Sequence, residues 1–347
     1  MRDVRRWWRP APVDRSCSDG SRRAWLLSAA LCAAAASSVA TGAAASPSSA
    51  PHSAGNVLLG VLGDPDRFDQ QTTQRSRFRL LIMSWGQGGT PQYFASLFTT
   101  MREVPMLGIS TGGGEGGGAE TITAGQIARG AGDSFLVALN QAIAAWGKPI
   151  YVRPLAEMNG HWNAYCAFNR DGSARSADHS TAAFRKAFAR IYLLVHGAPN
   201  VNQRLRQLGL PPVRGGLASN SQVRVIWNPQ GYGSPDLAGN SAESYYPGDA
   251  YVDTVGDDLY DIGGKAEWAA AEALYRAHPG KRFAFPEWGL WGIDDPSFVT
   301  QMADFVRSHG RTELIGYYSG QPGSIFDLAA KARSLASYKQ VIVPLGR

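Results

Sequence analysis

From residue 56 onward the chain alternates short apolar runs with segments of helical periodicity, and this alternation limits the available folds more than any other feature. The runs are NVLLGVLG (56–63), FRLLIMSW (78–85), VPMLGIS (104–110), PIYVRPLAE (149–157), QVRVIWNP (222–229), VDTVGDDLY (252–260), RFAFPEWG (282–289) and ELIGYYSG (313–320). Most are continuously apolar rather than alternating, the pattern of strands covered on both faces. Between them lie PQYFASLFTTMREV, GDSFLVALNQAIAAWG, STAAFRKAFARIYLLVHG, KAEWAAAEALYRAHPG and PSFVTQMADFVRSHGR, with IFDLAAKARSLASYKQVI after the last run. Asp133 and Ser180 are placed as N-caps, and Gly147, Gly197 and Gly280 as stops. Strands alternating with helices point to parallel βαβ units. Eight of them point to a single-domain α/β fold, a (β/α)8 TIM barrel over 56–347, rather than an open doubly wound sheet. The connection after the first run carries little helix signal, and that between the fifth and sixth reads as a long loop.

The first 45 residues are set apart from the fold. An arginine-rich segment ends in Arg22-Arg23, an alanine-rich apolar stretch follows, and the stretch dissolves into small residues. That order is the pattern of a secretory signal, and the paired arginines fit the twin-arginine type. Residues 46–55 then read as a flexible lead-in. The whole chain carries 34 basic and 28 acidic side chains. Seven Arg and three Asp fall within 1–45, leaving 27 basic and 25 acidic residues beyond it. So small an excess argues against a nucleic-acid partner, which needs a concentrated basic face. Of three cysteines only Cys166 lies beyond the leader, so an exported chain has no internal disulfide and rests on its core.

Two carboxylates stand out. In a strand, residues two apart share a face, so Arg153, Leu155 and Glu157 are expected to face the lumen of a barrel. Phe283, Phe285 and Glu287 are expected to do the same. Each Glu then emerges at the C-terminal mouth, where barrel enzymes build their sites. A buried carboxylate is costly unless paired, and a salt bridge from Arg153 would account for Glu157. It accounts less well for a second Glu beside Trp288 and Trp291. Two carboxyl groups flanking a sugar are what glycosidic cleavage requires, one to protonate the leaving oxygen and one to attack or to activate water. Trp85, Trp162, Trp227, Trp288, Trp291, Tyr317 and Tyr318 all fall at or just past strand ends, where ring faces can stack on pyranoses.

Three stretches resemble a known family. RPLAEMNGHW (153–162) is similar to the acid/base segment of glycoside hydrolase family 26, the β-mannanase family, with a pattern close to R-P-x-H-E-x-N-G-x-W. YYPGDAYVDTVGDDLY (245–260) resembles its Y-Y-P-G-D-x-Y-V-D-x-V-G-x-D-x-Y stretch, and FPEWG (285–289) its nucleophile segment. The resemblance implies a retaining mechanism, with Glu157 as general acid/base and Glu287 as nucleophile. It implies that Trp162 floors the cleavage subsite, that Tyr260 hydrogen-bonds the nucleophile with Asp258 on the same strand face, and that Arg153 keeps the nucleophile ionised. The substrate-binding set is Arg153, Asn159, His161, Trp162, Trp227, Asp258, Tyr260 and Trp288. The chain departs from the pattern at Ala156, where the family has His, and at Asn163, Ala164 and Tyr165, where it continues with tryptophan. His161 is a candidate replacement donor.

Other motifs carry less. GISTG (108–112) matches G-x-S-x-G, but the glycine run GGEGGGAETIT follows instead of the sharp turn into a helix which that motif needs. The run lacks the G-K-[ST] ending of a phosphate cradle. It suits a mobile loop over the mouth, with Glu115 solvated. The histidines show no ligand spacing, so no metal or cofactor is expected. The expected protein is a secreted, monomeric β-mannanase-like hydrolase with a polysaccharide as partner and no membrane contact after leader removal. The alternatives are a hydrolase of β-1,3/1,4-glucan or β-1,3-xylan, and a non-catalytic glycan-binding barrel.

Overall fold

A computed structural model describes residues 56–112 and 119–347. The expected leader, the lead-in and the centre of the glycine run with Glu115 lie outside the described residues. Among the described residues no helix is long and apolar enough to cross a membrane.

Eight parallel strands close in sequence order into a barrel. They are β1 (Leu58–Leu62), β2 (Phe78–Ser84), β3 (Val104–Ser110), β4 (Ile150–Pro154), β5 (Val223–Trp227), β6 (Thr254–Ile262), β7 (Arg282–Trp291) and β8 (Thr312–Tyr318). The helices are α1 (Pro65–Thr72), α2 (Pro91–Thr99), α3 (Ala124–Ala128), α4 (Asp133–Trp146), α5 (Thr181–His196), α6 (Val201–Gln207), α7 (Trp268–Ala277), α8 (Pro296–Ser308) and α9 (Ala332–Ser337). This is the (β/α)8 barrel read from the sequence.

The helix boundaries follow local chemistry. Ser180 caps α5 by accepting from the Ala183 N–H, and Gly147 and Gly197 end α4 and α5 in the left-handed region. Asp133 is not a cap. It is the first residue of α4, and its carboxylate holds the buried Arg190 guanidinium at 2.5 and 2.7 Å. Gly280 does not stop α7, which ends at Ala277. The connection after β1 is helical after all: Asp64 accepts from the N–H groups of Asp66 and Arg67, and Pro65 opens α1, a start signal compressed into two residues. The last expected helix breaks into short 3-10, α and π turns around α9.

Side chains sort into two cores by strand parity. Phe78, Leu80, Met106, Tyr151, Ile226, Ala284 and Leu314 fill the lumen. A larger core lies between strands and helices, with Val152 and Leu155 in it. Phe283 and Phe285 belong to that outer core, against Phe305 of α8 at ring-centroid distances of 5.9 and 5.1 Å. The expected inward facing of Leu155, Phe283 and Phe285 is therefore corrected. Glu287 still faces inward, because β7 carries one residue more than β6 between Ala284 and Glu287, and one more than β8 between Phe285 and Trp288. Gly256 and Asp258 of β6 pair with Ala284 and Glu287, while Ile315 and Tyr317 of β8 pair with Phe285 and Trp288. Pro286 is the residue common to the two intervals. Proline gives a ladder no N–H, so within a central strand it belongs at such a bulge.

The bulge constrains the strand beside it. A Cβ on Gly316 would lie 2.5 Å from the Pro286 carbonyl oxygen and 3.0 Å from the Phe78 ring. Gly316→Ala should destabilise the protein by about 1–3 kcal/mol, read as a lower denaturation midpoint in urea. An unchanged midpoint would mean that the bulge has no such close neighbour.

Candidate active site

The chain leaves β4 at Pro154 and enters a turn in which Leu155 and Glu157 both adopt left-handed conformations, with φ of 53° and 54°. Non-glycine residues there cost roughly 1–3 kcal/mol each and persist only where their surroundings fix them. The surroundings are explicit. The Leu155 N–H donates to the Ile109 carbonyl at 2.8 Å and the Glu157 N–H to the Asn228 carbonyl at 2.7 Å, so the turn stays laced to both neighbouring strands. The Asn163 amide donates to the Glu157 carbonyl at 2.9 Å, and the Tyr165 hydroxyl to the Ala156 carbonyl at 2.7 Å. The two left-handed residues turn Leu155 into the outer core and Glu157 over the lumen, which simple alternation does not do.

Beneath Glu157 lies Arg153, buried and inward-facing beside Gly108 of β3. Its Nη1 donates to Glu287 Oε1 at 2.5 Å, its Nη2 to Asp258, and its Nε to Asn228 Oδ1 at 3.0 Å. The salt bridges of Arg153 thus go to Glu287 and Asp258, not to Glu157. Burial alone would lower its pKa, but Asp258 and then Glu287 hold it above the ordinary value. Burial drives Asp258 upward against the pull of Arg153. The Tyr260 hydroxyl donates to Glu287 Oε2 at 2.9 Å, so both oxygens of that carboxyl are held. Tyr260 is fixed in turn by edge contacts with Trp291, Tyr318 and Phe326 at 5.8–6.2 Å, and burial beside Glu287 keeps its phenol protonated.

Glu157 has different partners. Trp162 Nε1 donates to Oε2 at 2.7 Å and Gln230 Nε2 donates to Oε1. Burial, and then the charge of Glu287, raises its pKa above the usual carboxylate value, with Trp162, Arg153 and Gln230 opposing. Both carboxyl groups line one recess of about 130 Å³, completed by Ile82, Ser110, Ala156 and Tyr165 among others. A carboxyl of raised proton affinity and a second carboxyl gripped by a cation thus face the same small space. A larger groove of about 710 Å³ lies along α2 and α4. Its buried charge, Arg190, is spent on Asp133 and the Pro211 carbonyl.

The expected substrate-binding residues separate. Arg153, Trp162, Asp258 and Tyr260 are brought together with the two glutamates. Trp227 and Trp288 are not at the mouth: both are fully buried in the outer core, Trp227 against Tyr246 and His278, Trp288 stacked on Tyr338 at 5.8 Å. Parity explains this, since each follows or precedes an inward residue on its strand. Trp85 and Tyr317 are packed likewise, against Phe135 and Phe68, whereas Trp291 and Tyr318 remain half-buried. Asn159 is buried and binds protein: it accepts from the Gln230 N–H at 2.9 Å and donates to the carbonyls of Gln230 and Tyr232 at 2.8 and 3.0 Å. His161 faces Ser234 Oγ at 3.1 Å and packs edge-on against Trp162, while burial lowers its pKa. It thus packs against the tryptophan that binds Glu157. Asn228 and Gln230 were not singled out from the sequence, and Asn163 and Tyr165 stood out there only as departures from the family pattern. Asn-Pro-Gln directly after β5 was a legible sign, since polar residues at that strand end must face the mouth or the neighbouring loop. Ser110 of the G-x-S-x-G match ends β3 and accepts from the Gly112 N–H at 3.2 Å. Among the described residues no group of three or more His, Cys, Asp or Glu could hold a metal ion.

With this geometry in hand, solved structures with the same architecture can be compared. The family 26 domain of an endo-β-mannanase/endo-β-glucanase from Prevotella bryantii matches 80% of this chain and 88% of its own at 14% identity, with a TM-score of 0.51. The longer Prevotella bryantii enzyme matches 83% of this chain and 44% of its own at 15% identity, TM-score 0.52. A Podospora anserina β-(1,4)-mannanase with an attached CBM35 module matches 82% and 60% at 16% identity, TM-score 0.50. The fold is that of the family 26 glycoside hydrolases. This chain spans less than two thirds of the latter two chains. No protein-family model and no curated protein sequence matches it.

One buried acid behind the site makes a testable contribution to stability. Asp257 accepts from the Gly231 N–H at 2.9 Å, and burial pushes its pKa up to about 8. A raised carboxyl stabilises the fold fully below its unfolded pKa near 4 and loses that contribution as pH climbs to about 8. Asp257→Asn keeps the acceptor and removes the titration. It should gain on the wild type across that window, by at least about 1 kcal/mol at pH 8 relative to pH 4, in denaturation curves run at each pH. A constant difference between the two proteins would contradict the burial argument.

Proposed function

We propose that the protein is an exported retaining glycoside hydrolase that cleaves a β-linked polysaccharide, with β-mannan as the substrate and endo action on β-1,4 linkages. The observation that carries this reading is the unequal treatment of two carboxyl groups at one recess: Glu287 is held by Arg153 and Tyr260, and Glu157 by neutral N–H donors. The choice of mannan rests on the family likeness of the motifs and on the names of the enzymes that share the fold.

In the first step Glu157 gives its proton to the glycosidic oxygen as that oxygen leaves the anomeric carbon. Glu287 Oε forms the new bond from the opposite face. In the second step Glu157 takes a proton from water as the water oxygen attacks the anomeric carbon and Glu287 departs. The raised pKa of Glu157 suits a group that must be protonated first and ionised later. The ion pair with Arg153 suits a group that must begin as a carboxylate. The half-buried ring of Trp162 offers the floor of the site. Gly160 admits it, because a Cβ there would sit 2.4 Å from the indole.

Reducing-sugar release from mannan, glucomannan, lichenan and β-1,3-xylan tests the reading. The wild type should act best on mannan. Glu157→Ala should lower its rate by about 10²–10⁴-fold, and Glu287→Ala by at least as much. Activity of Glu287→Ala equal to that of the wild type would remove the nucleophile from this mechanism, and binding without turnover on every glycan would favour a non-catalytic barrel.

A second test uses the pH profile. The Trp162 N–H lowers the pKa of Glu157. Trp162→Phe should therefore move the alkaline limb of kcat/KM to higher pH, because the acid then holds its proton longer.

A further inference from the structure

We infer that Gln230 is a positioning residue for the acid/base carboxyl, its side-chain amide holding Glu157 in place through both protonation states of the reaction. The inference rests on the reading of Glu157 as the proton donor.

The geometry is specific. Gln230 is only 5% exposed, and its Nε2 reaches Glu157 Oε1 while Trp162 Nε1 takes Oε2. The backbone that carries this side chain is anchored on three sides. Asn159 accepts from its N–H and donates to its carbonyl, at 2.9 and 2.8 Å, and Asp257 accepts from the next N–H, that of Gly231, at 2.9 Å. Asn159 lies two residues after Glu157. The loop that carries the acid therefore clamps the loop that carries its partner, and the amide cannot drift away independently of the carboxyl it holds.

The chemistry explains why an amide suits this place. An indole N–H only donates, so it favours the carboxylate. An amide both donates and accepts. It can donate to the carboxylate left after proton transfer and, turned over, accept from the carboxylic acid that precedes it. The residue before the acid is Ala156, so that position offers the carboxyl no side-chain hydrogen bond. Trp162 and Gln230 are the side chains that hydrogen-bond the carboxyl. The charged and titratable groups around Glu157 are Arg153 on its own strand, Glu287 on β7, Asp257, Asp258 and Tyr260 on β6, Tyr165 in the following turn and Tyr232 beyond β5. Replacing uncharged Gln230 by another neutral residue leaves this set of charges intact.

The experiment compares mannan with 2,4-dinitrophenyl β-mannoside, whose leaving group needs no proton. Gln230→Met keeps the shape and removes both hydrogen-bonding functions. It should lower kcat/KM on mannan by about 10–100-fold, while the burst of dinitrophenolate stays within about threefold of wild type. Gln230→Glu should approach wild-type activity on mannan near pH 5, where its own acid group can donate and accept. It should lose at least about tenfold by pH 7 as that group ionises beside Glu157. Thermal unfolding checks that each variant is folded. A folded Gln230→Met with wild-type kcat/KM on mannan would overturn the inference, as would equal losses on both substrates or an unchanged pH profile in Gln230→Glu. Glu157→Ala is the control for the underlying reading. If it fails to separate the two substrates, the acid/base assignment falls first and takes the role of Gln230 with it.

Discussion

Arg153 is a guanidinium sunk in the lumen of the barrel, and the arrangement of the mouth depends on what it holds. It reaches three strands besides its own environment: Glu287 on β7, Asp258 on β6 and Asn228 just past β5. A single cation among Asp258, Glu287 and Glu157 cannot offset the cost of burying three carboxylates, and burial pushes the proton affinity of Asp258 and of Glu157 upward. Arg153 thus fixes the geometry of Glu287, whose charge, after burial, raises the proton affinity of Glu157 while Arg153 itself opposes that rise.

The mouth is also mechanically shared between loops. The turn after β4 takes its hydrogen bonds from β3, from the strand end of β5 and from its own continuation through Asn163 and Tyr165. Asn159 and Asn240 then tie it to the long connection before β6. Polar side chains here act as extra backbone, supplying the partners that two left-handed residues and an irregular loop would otherwise lack. Removing any one of them would leave a buried polar group unmatched, which costs more than the bond itself contributes.

Much of this was legible in the sequence. Continuous apolar runs alternating with helical periodicity describe strands buried on both faces, so the barrel and its strand order follow from pattern. Glu157 and Glu287 were legible as costly groups at strand ends, and Arg153 as their natural neighbour. The pairing was not legible from the residues alone, which suggested a bridge to Glu157, while the family likeness pointed to Glu287. The nearer Glu in sequence is not the one Arg153 binds, because the chain turns between them. Parity also failed at Leu155 and Phe285, each next to an irregularity that a period-two count cannot see. Pro286 was the available warning. Trp227 and Trp288 misled for separate reasons. Trp227 follows the lumen residue Ile226, so regular alternation puts it under the helices, whereas the extra residue at Pro286 turns Trp288 outward as it turns Glu287 in. Asn228 and Gln230 showed only as polar residues at a strand end, and their roles stayed hidden because their partners lie 70 or more residues away in the chain.

The single supernumerary residue in β7 has a consequence for how such a site can change over time. Which way Glu287 faces is a matter of chain length, not of residue type, and so it is digital. Point substitutions can weaken or retune the carboxyl, but none of them can rotate it by degrees toward the helices. Loss of one residue at that point would exchange the two neighbours outright, sending the carboxylate into an aromatic layer and an indole into the polar mouth. The strand can therefore diversify freely in composition while its length between Ala284 and Trp288 stays closed to variation.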